Sequence, residues 1–191
     1  MPSNERELLA RLKRRDDSDD WVDAWETLVN AHGGPVYGLA LRMMCHREDA
    51  EDAAQATWER VLAGLAAFRG DAAVSTWLFR IAMNECLTRL ERRQREGRNY
   101  LPEGDDHVLS LVPDRRPGPE RHAFSRETLV AIERALGELD YPFRAAVVLR
   151  ELHGLRYEDI AQVLDIPVNT VKRRLHRARL DLQQKLEAFR S

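Results

Sequence analysis

Between Asn99 and His122 the chain loses all helical periodicity: NYLPEGDDHVLSLVPDRRPGPERH carries four prolines and two glycines, whereas the stretches on both sides repeat apolar residues every three or four positions. Proline lacks a backbone donor and resists helix interiors, so no continuous helical body can run through this segment. It divides the sequence into 1–98, a linker 99–122 and 123–191. As a flexible chain, 24 residues would span about 25–30 Å on average and about 80 Å when taut. A length of 191 residues leaves room for two small helical domains, each able to close a core. Aromatic residues make up 7%, too few for an all-β fold, and the 43% hydrophobic and 32% charged residues suit helices. The expected fold is therefore all-α: two helical domains joined by a flexible linker.

In the first segment, helices are expected over Glu5–Arg15 and about Asp20–His32. Gly33-Gly34-Pro35 should break the chain there, with a new helix running from Pro35 toward Cys45, because proline is favoured in a first helical turn. Ala50, Ala53, Ala54, Thr57, Trp58, Val61, Leu62 and Leu65 then fall on one face of a further helix. Its opposite face carries Glu48, Asp49, Glu51, Asp52, Gln55 and Glu59. A short loop at 68–73 precedes a last helix, about Val74–Arg95, with Trp77, Leu78, Ile81 and Leu90 inward and Arg80, Asn84, Thr88, Glu91 and Arg95 as its polar stripe.

The second segment should begin near Phe124, with one helix to about Leu139 and another opened by Pro142 and closed at His153-Gly154. Tyr157–Leu164 then reads as a short helix, Asp165-Ile166-Pro167 as a tight turn and Val168–Leu175 as the start of a second helix. Ile160, Ala161, Leu164, Ile166, Val171 and Leu175 close the inside, and the small Ala161 lets the two helices cross closely. This is the helix-turn-helix pattern, whose second helix enters a major groove.

A net charge of −2 argues at first against a nucleic-acid partner, since phosphate neutralisation supplies much of that affinity. The distribution says otherwise. Residues 1–60 hold 13 acidic and 8 basic residues, net −5, whereas 172–191 hold 7 basic and 2 acidic, net +5, so the two ends suit different partners. No apolar run approaches the ~20 residues needed to cross a bilayer, and Met1–Arg15 is charged where a signal peptide would be apolar, so no membrane insertion and a cytoplasmic location are expected. Cys45 and Cys86 lie in helical stretches with no CxxC or neighbouring ligand cluster and read as small buried hydrophobes. The six histidines are scattered and no glycine-rich phosphate loop occurs, so no catalytic residue, cofactor or metal is expected.

Three stretches in order, DAEDAAQATWERV (49–61), AFRGDAAVSTWLFRIAMNECLTRLERR (67–93) and LRELHGLRYEDIAQVLDIPVNTVKRRLHRAR (149–179), resemble extracytoplasmic-function (ECF) RNA polymerase sigma factors of the sigma-70 family. The likeness runs from about Asp20 to Leu186, with a linker in place of the middle domain of larger sigma factors. It implies a sigma region 2 bundle and a sigma region 4 helix-turn-helix domain in a transcription initiation factor of stress response. Implied partners are core RNA polymerase, through the β′ clamp helices and β flap, promoter DNA and an anti-sigma factor. Asp49, Asp52, Gln55 and Trp58 would bind the polymerase. Phe68, Arg69, Gly70, Asp71, Arg80, Asn84, Arg92 and Arg93 would read and melt the minus-10 element, where unstacking a base costs a few kcal/mol that base-edge contacts and cations must offset. Asn169, Thr170, Lys172, Arg173, His176, Arg177 and Arg179 would read the minus-35 duplex, the first residues facing bases or phosphates and the last two the backbone. The sequence departs from commoner members at Glu85-Cys86 and Glu91, which add acid near the presumed DNA face. It departs again at Asp165, which replaces a frequent turn glycine but tolerates a left-handed backbone. The rival reading is a stand-alone helix-turn-helix repressor or activator, which would bind duplex DNA without polymerase.

Overall fold

The computed structural model describes residues 3–14, 18–97 and 126–190. Eight α-helices and no strands occur among them, in two groups. The expected linker at 99–122 lies outside the described residues, as do Arg15 and Phe124.

In the first group, α1 (Ser3–Arg14) lies along α2 (Asp19–Met44), and α2, α3 (Arg47–Gly64) and α4 (Val74–Arg95) pack mutually. Alanines make that packing close: Ala50, Ala53 and Ala54 of α3 are buried, with Thr57 returning its hydroxyl to the Ala53 carbonyl at 2.7 Å. The expected break at Gly33-Gly34-Pro35 does not occur, for α2 runs through it. Ala24, Leu28, Val36, Leu39, Ala40 and Met43 keep one helical stripe in phase across the site, and all are fully buried. Burying Leu28, Val36, Leu39 and Met43 is worth about 1.5–3 kcal/mol each, enough to offset the ~3 kcal/mol cost of an interior proline. Gly34 helps, since the clash of a proline ring with the preceding Cβ has no Cβ to meet. The chain instead turns at Cys45, whose left-handed backbone (φ 54°) closes α2 with its N–H on the Leu41 carbonyl.

In the second group, α5 (Arg126–Gly137) is followed by α6 (Tyr141–Val147), which widens into a π-helical turn over Val148–Leu152. Next come α7 (Tyr157–Leu164) and α8 (Val168–Arg190). The tight turn between them forms as expected, with Asp165 in the left-handed region (φ 51°) and its N–H on the Ala161 carbonyl. Ile160, Val171 and Leu175 are buried as the pattern required, while Ala161, Leu164 and Ile166 are only half-buried. Val163 and Ala178, absent from the expected set, are fully buried with them.

The two groups are not apart. α5, α6 and the π turn lie against α2, and α7 lies along α4, so that one continuous apolar core runs through both.

Candidate nucleic-acid and polymerase interfaces

Outward residues of α3 define the first face. Asp52 and Gln55 are exposed, with the Asp52 side chain 70% open, and Gln55 Nε2 donates to Glu59 at 3.2 Å. Asp49 is placed differently. Its carboxylate, only 25% open, is paired with Arg93 of α4 and lies 3.0 Å from His46 Nδ1. Trp58 is half-buried, edge-on to Trp25 at 5.8 Å. Of the four residues expected to meet polymerase, Asp52 and Gln55 lie open on the surface, Asp52 with Arg89 of α4 3.9 Å away, and the other two are built into the packing.

A second face surrounds a cavity of about 510 Å³ lined by Arg60, Phe68, Arg69, Asp71, Trp77, Arg80, Ile81 and Asn84, among others. Phe68 is buried and stacked on Trp77 at 4.5 Å, while Lys13 Nζ donates to its carbonyl, so it forms the floor of the loop. Gly70 has φ 81°, a conformation side-chain-bearing residues rarely adopt, and it turns Arg69 and Asp71 outward, where both are exposed. Arg80 and Asn84 stand one turn apart on the exposed side of α4. Arg92 is exposed near Glu96 (3.7 Å), but Arg93 is 14% open and engaged with Asp49.

Glu85 does not add acid to this face. Its side chain is buried between α3 and α4, where Arg89 Nε donates to Oε1 at 2.8 Å and Arg60 Nε lies 2.9 Å from Oε2 as a charge contact rather than an aligned hydrogen bond. Two arginines around one carboxylate satisfy the condition for burying a charge. Cys86 is fully buried beside it, and loss of solvent, reinforced by the Glu85 charge, pushes its thiol up to about 12. Glu91 is exposed, 3.6 Å from Arg95.

The third face is α8. Lys172, Arg173, His176, Arg177 and Arg179 are all exposed, as is Asn169, while Thr170 is half-buried. Arg173 reaches back to the Thr170 hydroxyl at 3.5 Å. Arg177 and Arg179 already hold acids, Asp181 at 3.2 Å and Glu151 at 2.7 Å. Among the described residues, Lys172 and Arg173 near the start of the helix have no acid partner, whereas Arg177 and Arg179 further on are paired.

Arg60, Gln162 and Arg144 were not anticipated. Arg60 and Gln162 line the cavity from α3 and α7, and only the packing of α3 and α7 against α4 brings them there. No local sequence signal marks them.

These faces define an all-α, helix-turn-helix protein that presents one acidic and two cationic surfaces. The Sigma-70 region 2 family model matches residues 28–96, and the Sigma-70 region 4 model matches 129–182. RNA polymerase sigma-H factor of Pseudomonas aeruginosa is 32% identical over 194 residues, covering 96% of this chain and 94% of that one. The ECF RNA polymerase sigma-E factor of Salmonella typhimurium is 34% identical over 190 residues, covering 94% and 93%. Among solved structures, CnrH in complex with the cytosolic domain of CnrY superposes with a TM-score of 0.65 at 26% identity, covering 96% of this chain and 97% of that one. The sigma factor RpoE in complex with the anti-sigma factor NepR from Bartonella quintana has a TM-score of 0.66 at 24% identity, covering 85% and 96%, and adds likeness of fold. The chain belongs to the sigma-70 family, in its ECF group. It is a non-enzymatic transcription initiation factor that binds RNA polymerase and directs it to promoters. No described helix is long and apolar enough to cross a membrane.

Proposed function

We propose that residues 1–98 act as sigma region 2 and 123–191 as region 4, joined by 99–122, and that the faces described above divide the work of promoter recognition between them. The exposed Asp52 and Gln55 of α3 meet the β′ clamp helices, with Asp49 and Trp58 holding that face in shape. The loop of Arg69, Gly70 and Asp71, with Arg80, Asn84 and Arg92, takes the melted minus-10 strand: the cavity accepts an extruded base, and the arginines meet phosphates. Asn169, Thr170, Lys172, Arg173 and His176 read the minus-35 duplex, and Arg177 and Arg179 position the backbone. Phe68 and Arg93 serve the minus-10 site through the loop floor and the α3–α4 ion pair. Region 4 also rests on the β flap, an anti-sigma factor restrains the free protein, and the work is done in the cytoplasm.

One observation carries this reading: an acidic exposed helix face and a basic recognition helix occur in one chain on separate helical groups. Neither surface suffices alone, and joining two weak sites through polymerase raises the effective local concentration of each. The isolated protein should thus bind promoter duplex weakly at physiological salt, and its complex with core polymerase tightly. Electrophoretic mobility shifts with and without core polymerase test this. Nanomolar, sequence-specific binding by the protein alone would favour a free-standing repressor.

A further inference from the structure

We propose that the chain holds itself closed before it meets polymerase: α7 lies over the α4 face read above as the minus-10 surface, and Arg144, seated on the last turn of α2, latches the two helical groups together. The blocking half of this proposal rests on the minus-10 reading; the closure does not.

Gln162 of α7 reaches the cavity that Arg60, Arg80 and Asn84 line from the other group. A strand of DNA entering that cavity would have to displace it. The latch is a single guanidinium that spans both groups. Arg144 is 7% exposed; Nη1 donates to the Met43 carbonyl at 2.6 Å and to Cys45 Sγ at 3.3 Å, while Nη2 donates to the carbonyls of Gly137 at 2.5 Å and Leu139 at 2.9 Å. Met43 belongs to the last turn of α2, where carbonyls have no partner within the helix and the helix dipole favours a cation. The left-handed turn at Cys45 leads the chain away and leaves that helix end open to Arg144. Nearby, the rings of Phe79 and His153 meet across the same boundary at 4.6 Å.

A contact built on a buried arginine suits a joint that must part. Desolvating the charge consumes part of what its hydrogen bonds return, so closure is marginal, but taking the guanidinium away leaves the buried Met43 and Leu139 carbonyls without their donor and tips the balance toward the open form. Parting is required on the reading above. Elements named minus-10 and minus-35 lie about 25 base pairs apart, which at 3.4 Å per pair is about 85 Å, and α4 and α7 cannot touch one another and reach both.

Small-angle X-ray scattering of the full chain, with and without two substitutions, tests this. Closed, 191 residues should give a radius of gyration near ~16 Å. Gln162→Lys places a fourth cation beside Arg60, Arg69 and Arg80, with only Asp71 opposing them in the cavity. Since Gln162 is exposed, both folds should survive and the radius should rise by several ångströms. A wild type already expanded, with a radius unmoved by Gln162→Lys, overturns the closure. Arg144→Met removes the latch. Although it loses a positive charge, it should bind a fluorescent mixed-sequence single strand of about 12 nucleotides more tightly. A population nine-tenths closed corresponds to about a tenfold gain. If Arg144→Met does not fold, the scattering of Gln162→Lys decides alone. Equal strand affinity in a folded Arg144→Met that has expanded would show that the face is not blocked. A closed, latch-dependent wild type that fails to bind core polymerase would sustain the closure while sinking the polymerase reading.

Discussion

Arg173 and Arg179 both point cations outward from α8, yet their surroundings separate two kinds of work. Among the described residues Arg173 bonds a neutral hydroxyl and no acid, and it sits in the helix's first two turns, the part that meets base edges in a helix-turn-helix. Arg173→Ala should cost about 1–3 kcal/mol at one promoter position and relax the preference there. Arg179 is held by Glu151 and lies further from the helix start. Arg179→Ala should weaken all promoters alike and lower the salt slope by about one unit, which titrating binding against salt on two unrelated promoters would show. At the group boundary, burial and the nearby Arg42 charge pull His153 down to about 4 from 6.5. The unfolded chain thus takes up a proton before the folded one does. The stability this ring contributes is complete above pH 6.5 and is lost as the pH falls toward 4. Between pH 7 and 4.5 the wild type should lose about 2–3 kcal/mol more than His153→Phe in urea unfolding. Parallel losses would mean that the ring is solvated in the native state.

α3 shows how an element can look like a surface and act partly as a joint. Asp49 and Asp52 fall on the same polar face of the sequence, but Asp49 is tied closely to Arg93 of α4, whereas Asp52 is 70% open and meets Arg89 of α4 only at 3.9 Å, a contact that solvent screens. Asp52→Lys should weaken core-polymerase binding while shifting stability by under about 0.5 kcal/mol. Asp49→Lys should destabilise the domain as well, by about 1–3 kcal/mol, because it leaves Arg93 facing a second cation. Thermal melts alongside fluorescence anisotropy with core polymerase would distinguish them, and equal stability loss in both would show that the Asp49–Arg93 pair is idle. The same contrast marks what the sequence could reveal. α7, its turn and the start of α8 are legible in their bounds, because a left-handed Asp165 and apolar spacing are local features, although which residues the inside buries most fully, Val163 and Ala178 among them, depends on the packing of the other helices. α2 is not, because the local break at Gly33-Gly34-Pro35 is overridden by burial against α3 and α4 that only the assembled bundle supplies. Glu85 misleads in the same way: its position on α4 suggests an exposed acid, and its arginine partner Arg60 comes from another helix. The loop and polar stripe of the minus-10 surface could be read along the chain, but not Gln162, which arrives from the other helical group.

As a whole, the molecule carries an acidic and a cationic surface on its first helical group and a cationic helix on its second, and on the closure proposed above the packing of α7 on α4 keeps the free chain from using them. Membership of the sigma-70 family fixes the activity, and the division of that activity among the three faces is the proposal to be tested. The central claim is that these parts act together, on polymerase and on DNA at once. Run-off transcription from a template library randomised across the minus-35 element, with purified core polymerase, measures that directly. The expected result is transcription only when the chain is added, from a narrow set of sequences, with Arg173→Ala broadening the set at one position and Asp52→Lys lowering yield without altering the set. Transcripts independent of the chain, or a sequence preference unchanged in Arg173→Ala and His176→Ala, would contradict it.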